Sequence, residues 1–258
     1  MSSFRQISSA DNAQFKQLKK LAGSARERRK QNQTLLDGVH LLQSLQQAGG
    51  SPELLLVRAG SETNPEFQPW FETFADKPAL LLDAKLFDQI SPVETPSGLL
   101  ALINIPRPAQ RQINSALLLE NIQDPGNLGS ILRSAAAGGI DAVYLSKGCV
   151  DAWSPKVLRG GMGAHFALDL HEHAELTDAA RRFDKIIATH LDASQSLYDL
   201  DLRGNIAFVF GNEGAGLSDE LAAVASHKII IPMPGQIESL NVAAAAAICV
   251  FERVRQQR

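Results

Sequence analysis

Cysteine is scarce in this chain, and its scarcity excludes two kinds of scaffold. Only two cysteines occur in the 258 residues, Cys149 and Cys249, and they lie far apart in the sequence. Neither belongs to a Cys-x-x-Cys pair or to a cluster of cysteine and histidine, so we expect no disulfide framework and no metal site of the usual structural kind. The sequence favours a protein of the reducing cytoplasm.

Long apolar runs and common nucleotide-binding motifs are also missing. No apolar run approaches the roughly 18 residues of a membrane span, and residues 1–30 lack the apolar core of a signal peptide. We therefore expect no membrane segment and a cytoplasmic location. The glycines that follow predicted strands do not form G-x-G-x-x-G or G-x-x-x-x-G-K-[ST], and neither H-E-x-x-H nor G-x-S-x-G occurs. These absences argue against dinucleotide-binding Rossmann enzymes, P-loop NTPases, zincins and α/β-hydrolases.

Charge is distributed unevenly along the chain. The net charge is −3, yet residues 1–30 carry eight basic side chains against two acidic ones. Such a basic segment is typical of a solvated helix face, and it is also typical of a surface that meets a phosphate backbone. Charge alone does not choose between the two.

Hydrophobic patterning predicts an α/β protein with two domains. The composition, 45% hydrophobic and 21% charged, is that of a globular chain. In the front half, short apolar runs alternate with helical segments, and the proline-rich stretch 105–114 then favours a linker. We therefore predict a small α/β domain over residues 1–107 and a second domain over 108–258. In the second, apolar strands alternate with helices, which indicates a mostly parallel sheet.

Three polar, glycine-bearing loops follow strands of the second domain, at residues 120–133, 210–218 and 231–242. Each loop alone could be only a turn or a helix cap. Ligands of open α/β sheets bind beyond the carboxyl ends of the strands, so three such loops at strand ends favour a single site. Thr189 and His190 end a neighbouring predicted strand, and we expect them to line the same pocket, with His190 structural rather than catalytic.

The three loops closely resemble the motifs of the SpoU/TrmH branch of the SPOUT RNA ribose 2'-O-methyltransferases, over about residues 115–255. The matching patterns are N-x-G-x-x-x-R at Asn127, Gly129 and Arg133, G-x-E-x-x-G-L-S at Gly211 to Ser218, and I-P-M-x-G-x-x-x-S-L-N-V at Ile231 to Val242. The front half is similar to the L30e-type substrate-binding domain that often precedes this catalytic domain. There the family commonly has Glu-Gly where this chain has Asp37-Gly38.

This resemblance implies a fold, a cofactor and an assembly. The fold is a parallel α/β domain with a C-terminal trefoil knot, and the assembly is a homodimer. The helix predicted at the C-terminal end is apolar on every face, so it needs cover from the chain or from a second subunit. The cofactor is S-adenosylmethionine, and the residues that the resemblance and the loops assign to it are Gly211, Ile231, Leu240, Thr189, Met233 and Gly235.

The resemblance also implies the catalytic residues, with Arg133 central. Its assistants are Asn127, Glu213, Ser239 and Asn241. The family has regarded this arginine as the base, but a guanidinium is essentially always protonated. We favour a fixed cation that binds an RNA phosphate and stabilises the developing ribose alkoxide, while another group or water accepts the proton.

The sequence thus predicts S-adenosylmethionine-dependent methylation of a ribose 2'-hydroxyl of RNA, with no metal. The separate front domain favours ribosomal RNA over transfer RNA as the partner. Two alternatives remain, a transfer-RNA 2'-O-methyltransferase and a catalytically silent RNA-binding or ribosome-assembly protein of the same fold. The intact set of predicted catalytic residues argues against the silent alternative.

Overall fold

The structure is a computed structural model that describes residues 4–91, 96–109, 112–190, 193–212, 214–236 and 239–258. The elements up to the linker are β1 (Arg5–Ile7), α1 (Ala13–Gly23), α2 (Ala25–Gln31), β2 (Gln33–Asp37), α3 (Gly38–Gln47), β3 (Leu54–Arg58), α4 (Gln68–Thr73), β4 (Ala79–Leu82), α5 (Ala84–Ile90) and β5 (Leu99–Asn104). Those after it are β6 (Ser115–Leu119), α6 (Pro125–Ala137), β7 (Ala142–Leu145), α7 (Pro155–Gly161), β8 (Asp169–His171), α8 (Leu176–Ala180), β9 (Lys185–Thr189), β10 (Gln195–Ser196), β11 (Ile206–Phe210), α9 (Asp219–Val224), β12 (His227–Ile230) and α10 (Val242–Gln257).

The chain forms two compact units. The first contains Met1–Pro106 together with Trp153–Phe166, and the second contains Arg107–Ala152 and Ala167–Arg258. The sequence predicts a single boundary, with the second domain starting at residue 108. The observed contacts differ from this prediction at the segment 153–166, which belongs to the first unit. That domain division stays a prediction, because compactness alone does not define a domain that folds independently.

The first unit is built on a mixed five-stranded sheet. Its strand order is β1-β4-β3-β5-β2, with β1, β4 and β3 parallel and β5 antiparallel to both of its neighbours. Helix α1 starts at Asn12, whose side chain accepts hydrogen bonds from the backbone N–H groups of Gln14 and Phe15. Phe15, Leu18 and Leu21 repeat on one face of α1 and are buried in the core of this unit.

The segment 153–166 completes the first unit. Trp153 is buried, and its carbonyl oxygen accepts a hydrogen bond of 2.9 Å from the buried Thr34 hydroxyl on β2. Helix α7 packs on β2 and buries Val157 and Leu158. A buried hydroxyl has to find a partner, so the Thr34 contact fixes the start of this segment.

The second unit contains a seven-stranded parallel sheet. Its order is β10-β12-β9-β11-β6-β7-β8, and every neighbouring pair is parallel. The central strands β6 and β11 are buried at every position, as expected for strands with helices on both faces. The predicted α/β class with a mostly parallel sheet is confirmed.

The predicted strands of the second unit agree closely with the structure, and the two omissions have a physical reason. The apolar runs of the sequence predict strands at 142–145, 185–189 and 206–210, and the structure has strands with these bounds. Strands β8 and β10 lie at the sheet edges and have three and two residues. Runs this short carry too little periodicity to be recognised. Over the described ranges, no helix is long and apolar enough to cross a membrane.

Candidate active site

A cleft opens in the second unit where β9, β11 and β12 end. Its volume is about 380 Å³, within the range of small-molecule sites. The residues that line it come from these strand ends, the loops after β11 and β12, and the start of α10. They are Thr189, His190, Phe210, Gly211, Asn212, Gly216, Leu217, Ile229, Ile230, Ile231, Met233, Ser239, Leu240, Asn241, Val242 and Ala245. This is the edge of the sheet at which ligands of α/β proteins bind.

Most of the residues predicted to bind the cofactor meet at this cleft. The lining includes Thr189, Gly211, Ile231, Met233 and Leu240. Gly235 is exposed and lies outside the described lining. His190 also lines the cleft, and its backbone N–H donates to the carbonyl oxygen of Ile229 at 2.9 Å.

The loop after β11 turns back on itself at Asn212. The backbone groups of Asn212 and Gly216 exchange two hydrogen bonds of 3.0 Å. The Asn212 side-chain oxygen accepts from the N–H groups of Gly214 and Ala215 at 2.9 and 3.0 Å. The prediction missed Asn212, although an asparagine two residues before a glycine is a recognisable signal for a side-chain-capped turn.

Gly211 stands where this loop folds closest to the strand end. A Cβ on Gly211 would overlap the carbonyl group of Gly216 and approach the backbone nitrogen of Leu217 to 2.6 Å. Only a residue without a side chain allows the two backbone stretches to come this close. Glycine is therefore required at position 211 by the loop itself.

Two predicted catalytic asparagines are hydrogen-bonded to each other. The Asn241 side-chain nitrogen donates to the Asn127 side-chain oxygen at 2.9 Å, which joins the starts of α10 and α6. Asn241 also caps α10, because its side-chain oxygen accepts from the N–H groups of Ala243 and Ala244. Asp124 caps α6 in the same way through the N–H of Asn127. Both ends of the Asn127–Asn241 pair are thus fixed by helix starts, and Ser239 lines the cleft beside Asn241.

The other two predicted catalytic residues have different positions. Arg133 is exposed on α6 and is not among the described residues that line the cleft. It follows Asn127 by six positions, which turns it about a third of a circle away on the helix. Glu213 lies outside the described residues, so the structure neither brings it to the cleft nor removes it.

The Cys149 thiol is hydrogen-bonded to the first motif loop and to the end of β6. It accepts the Ile122 N–H at 3.3 Å and donates to the Leu119 carbonyl oxygen at 3.2 Å. Burial raises the pKa of the Cys149 thiol, because the thiolate would lose its hydration. A thiol with a raised pKa is a poor nucleophile. In the part of the chain that the structure describes, no group of three or more histidine, cysteine, aspartate or glutamate side chains could hold a metal ion.

Comparison with protein families identifies both halves of the chain. Residues 114–251 match the model of the SpoU rRNA Methylase family. Residues 12–101 match the MRM3-like substrate binding domain. The first match covers more than half of the chain and contains all three motif loops.

Individual relatives match over almost their whole length. An uncharacterised tRNA/rRNA methyltransferase of Synechocystis is 34% identical, over 97% of this chain and 94% of the relative. The 23S rRNA (guanosine(2553)-2'-O)-methyltransferase RlmP of Bacillus subtilis is 31% identical, over 96% and 98%. The crystal structure of an S-adenosylmethionine-bound rRNA methyltransferase from Sinorhizobium meliloti aligns with a TM-score of 0.84 and 26% identity, over 98% of each chain.

Proposed function

The chain belongs to the SpoU rRNA methylase family, and we propose that it methylates a ribose 2'-hydroxyl of large-subunit ribosomal RNA. It is an RNA 2'-O-methyltransferase that uses S-adenosylmethionine. The observation that carries the function is the cleft beyond the strand ends, which gathers residues of the second and third motif loops. The similarity to a 23S rRNA enzyme over nearly the full length supports the substrate class.

The cleft fits the proposed cofactor in size and in chemistry. Its volume of about 380 Å³ suits a nucleoside-sized ligand, and its lining combines apolar residues such as Ile231 and Met233 with polar ones such as Thr189 and Asn212. Gly211, Ile231 and Leu240 would hold S-adenosylmethionine, together with Thr189 and Met233. The bound sulfonium supplies an already activated methyl group. The protein then has to align the ribose oxygen and assist loss of its proton.

We assign orientation of the ribose and stabilisation of the developing charge to polar side chains of the three motifs. The Asn127–Asn241 pair, at 2.9 Å, holds two amides at the edge of the cleft, where they can orient a ribose. Ser239 adds a hydroxyl, and Glu213 is retained from the motif as a further catalytic residue. Arg133 is exposed, so an RNA phosphate arriving from solvent can meet it. As a permanent cation it stabilises the alkoxide that develops as the proton leaves.

The first unit supplies basic surface for RNA. In α1 and α2, six basic residues are exposed, whereas Arg28 is buried. The exposed ones are Lys16, Lys19, Lys20, Arg26, Arg29 and Lys30. Arg28 donates to the backbone carbonyl oxygens of Leu21 and Ala22, so it joins the end of α1 to α2. We therefore propose RNA binding by the other basic residues and a structural role for Arg28.

The proposed substrate is tested by mapping ribose methylations in total RNA. The comparison is between a strain that lacks this protein and its parent. We expect one 2'-O-methyl mark to disappear from large-subunit rRNA, and complementation with the wild-type protein to restore it. Loss of a transfer-RNA mark with unchanged rRNA would overturn the substrate class, and an unchanged map of both RNAs would overturn the function.

We further propose that the C-terminal part of the second unit forms a trefoil knot and that the protein works in the cytoplasm. The strand order supports the knot. The chain runs from β9 to the edge strand β10, returns past β9 to β11, and then inserts β12 between β10 and β9. The segment after β12 continues into α10, which packs against α6.

We propose a homodimer formed through the uncovered face of α10. The helix buries Ala243, Ala246, Cys249 and Val250, but Phe251 remains 49% exposed. Replacing a half-exposed phenylalanine by glutamate would place a charge in a contact that needs to be apolar. We therefore expect Phe251→Glu to sediment as a monomer at micromolar concentration, where the parent sediments as a dimer. Met162→Glu, a similarly exposed apolar position in the first unit, should stay dimeric. A monomeric parent protein would contradict the proposal.

A further inference from the structure

Glu120 bridges the end of β6 to the far end of the loop after β11. One of its carboxylate oxygens accepts the backbone N–H of Ser218 at 2.8 Å, and the other accepts the Ser218 hydroxyl at 2.7 Å. The backbone N–H of Glu120 donates to the Phe210 carbonyl oxygen at 2.9 Å. The backbone of Glu120 thus bonds to Phe210, which precedes the loop 211–217. Its side chain bonds to Ser218, which follows the loop.

The residue after Glu120 binds the same loop. The Asn212 side-chain nitrogen donates to the Asn121 carbonyl oxygen at 2.9 Å. Asn121 has a left-handed backbone, with φ of 54°, and its N–H donates to the Ser146 hydroxyl at 2.9 Å. A non-glycine residue in this conformation needs support from its surroundings. Residues 120–121 are therefore a supported anchor for the loop.

Ser218 has a second role that leaves its hydroxyl proton available for Glu120. Its oxygen accepts the Leu221 N–H at 3.3 Å and so caps α9. The hydroxyl then donates to the carboxylate, which is a charge-assisted hydrogen bond and stronger than a neutral one. The geometry of the loop after β11 is therefore coupled to the charge on one side chain of the neighbouring strand.

We propose that Glu120 is a positioning residue for S-adenosylmethionine. Glu120 is not among the described residues that line the cleft, whereas Gly211, Asn212, Gly216 and Leu217 of the held loop are. Glu120 acts by keeping this loop in the conformation that binds the cofactor. Without the bonds between the Glu120 side chain and Ser218, the loop adopts this conformation in only a fraction of the molecules. The apparent Kd for S-adenosylmethionine rises as that fraction falls. This inference rests on the proposed cofactor site.

The first experiment measures S-adenosylmethionine binding to the full chain by calorimetry. We expect Glu120→Ala to raise the Kd by roughly tenfold to a hundredfold, as loss of two charge-assisted hydrogen bonds implies. Glu120→Gln keeps an acceptor for the Ser218 N–H but loses the negative charge, so its Kd should lie between those of the parent and of Glu120→Ala. Glu175→Ala is the matched control, because Glu175 is an exposed glutamate that lines the same surface pocket as Ser218 and, among the described residues, makes no hydrogen bond to the loop. Its Kd should be unchanged.

The second experiment is a double-mutant cycle with Ser218→Ala. Because both side chains belong to one contact, Ser218→Ala should weaken binding less in the Glu120→Ala background than in the parent. The separate loss of the α9 cap cancels in this comparison. Additive effects on the Kd would overturn the proposal. If Glu120→Ala does not fold, Glu120→Asp replaces it in both experiments, because its shorter side chain cannot reach Ser218, and an Asp variant with the parent Kd would equally overturn the proposal.

Thermal unfolding without cofactor separates positioning from a general structural role. We expect the Tm of Glu120→Ala to fall no further than that of Ser218→Ala, while the Kd rises. A Kd that is unchanged in Glu120→Ala overturns this inference alone, because the parent still binds S-adenosylmethionine. A parent protein that does not bind it overturns the proposed function instead.

Discussion

Gly211→Ala is expected to abolish S-adenosylmethionine binding. The added methyl group would overlap the Gly216 carbonyl and crowd the Leu217 nitrogen, and these are backbone atoms that cannot turn away. The loop would have to open, which breaks the paired hydrogen bonds between Asn212 and Gly216. Since Gly211, Asn212, Gly216 and Leu217 all line the cleft, we expect the Kd to rise by at least about a hundredfold, from the loss of several polar contacts.

The same change at Gly214 provides the control. Among the described residues, a Cβ there meets only the Asn212 side-chain oxygen, at 3.6 Å, which is an ordinary contact. Gly214→Ala should therefore bind the cofactor within a few-fold of the parent. Calorimetry on the parent and the two variants, with circular dichroism to verify folding, makes the comparison. Parent-like affinity in a folded Gly211→Ala protein would show that the cofactor binds elsewhere.

Arg133→Ala should slow the methyl transfer step by about a hundredfold or more, the usual loss when one group that stabilises developing negative charge is removed. Arg133 is exposed on α6 and is not among the described residues that line the cofactor cleft, so cofactor affinity should be unchanged. Single-turnover methylation with saturating cofactor isolates this step. A variant that loses cofactor affinity and keeps its rate would contradict the assignment.

Arg133→Lys then distinguishes a fixed cation from a base. A lysine keeps the charge but loses the two-pronged contact with phosphate, so a fixed cation predicts partial activity at every pH. If position 133 removed the proton, lysine would serve at least as well as arginine at alkaline pH, because it loses its own proton more readily. Rates for all three proteins are measured against pH. A lysine variant that matches or exceeds the parent at alkaline pH would defeat the fixed-cation account.

Much of the cleft was predictable because the residues concerned follow strands directly. Gly211 and Ile231 come immediately after β11 and β12, whose apolar runs are clear in the sequence. The sequence assigns Gly211 to cofactor binding. The structure shows that the Gly216 carbonyl also leaves no room for a side chain at this position. The apolar run of a strand shows that a glycine follows the strand end, but it does not show which backbone segment packs against that glycine.

The contacts between distant loops could not be predicted. Glu120 and Ser218 are 98 positions apart, and only the parallel pairing of β6 and β11 brings them together. The contact between Thr34 and Trp153 spans 119 positions. Patterning identifies elements and faces, but it carries no information on which loop end meets which. The position of Arg133 relative to the cleft likewise depends on how α6 is turned against the sheet, which patterning does not give.

The order in which a ribosome makes this chain gives the segment 153–166 a further consequence. Domains generally fold from the N-terminal side as they emerge during synthesis. Here the first unit is completed by Trp153 and α7, which are synthesised after β6, α6 and β7 of the second unit. Until they emerge, Thr34 on β2 lacks its carbonyl partner and the surface that α7 covers is open to water. The nascent chain therefore holds an unfinished first unit while the second begins to form, and the two must mature together.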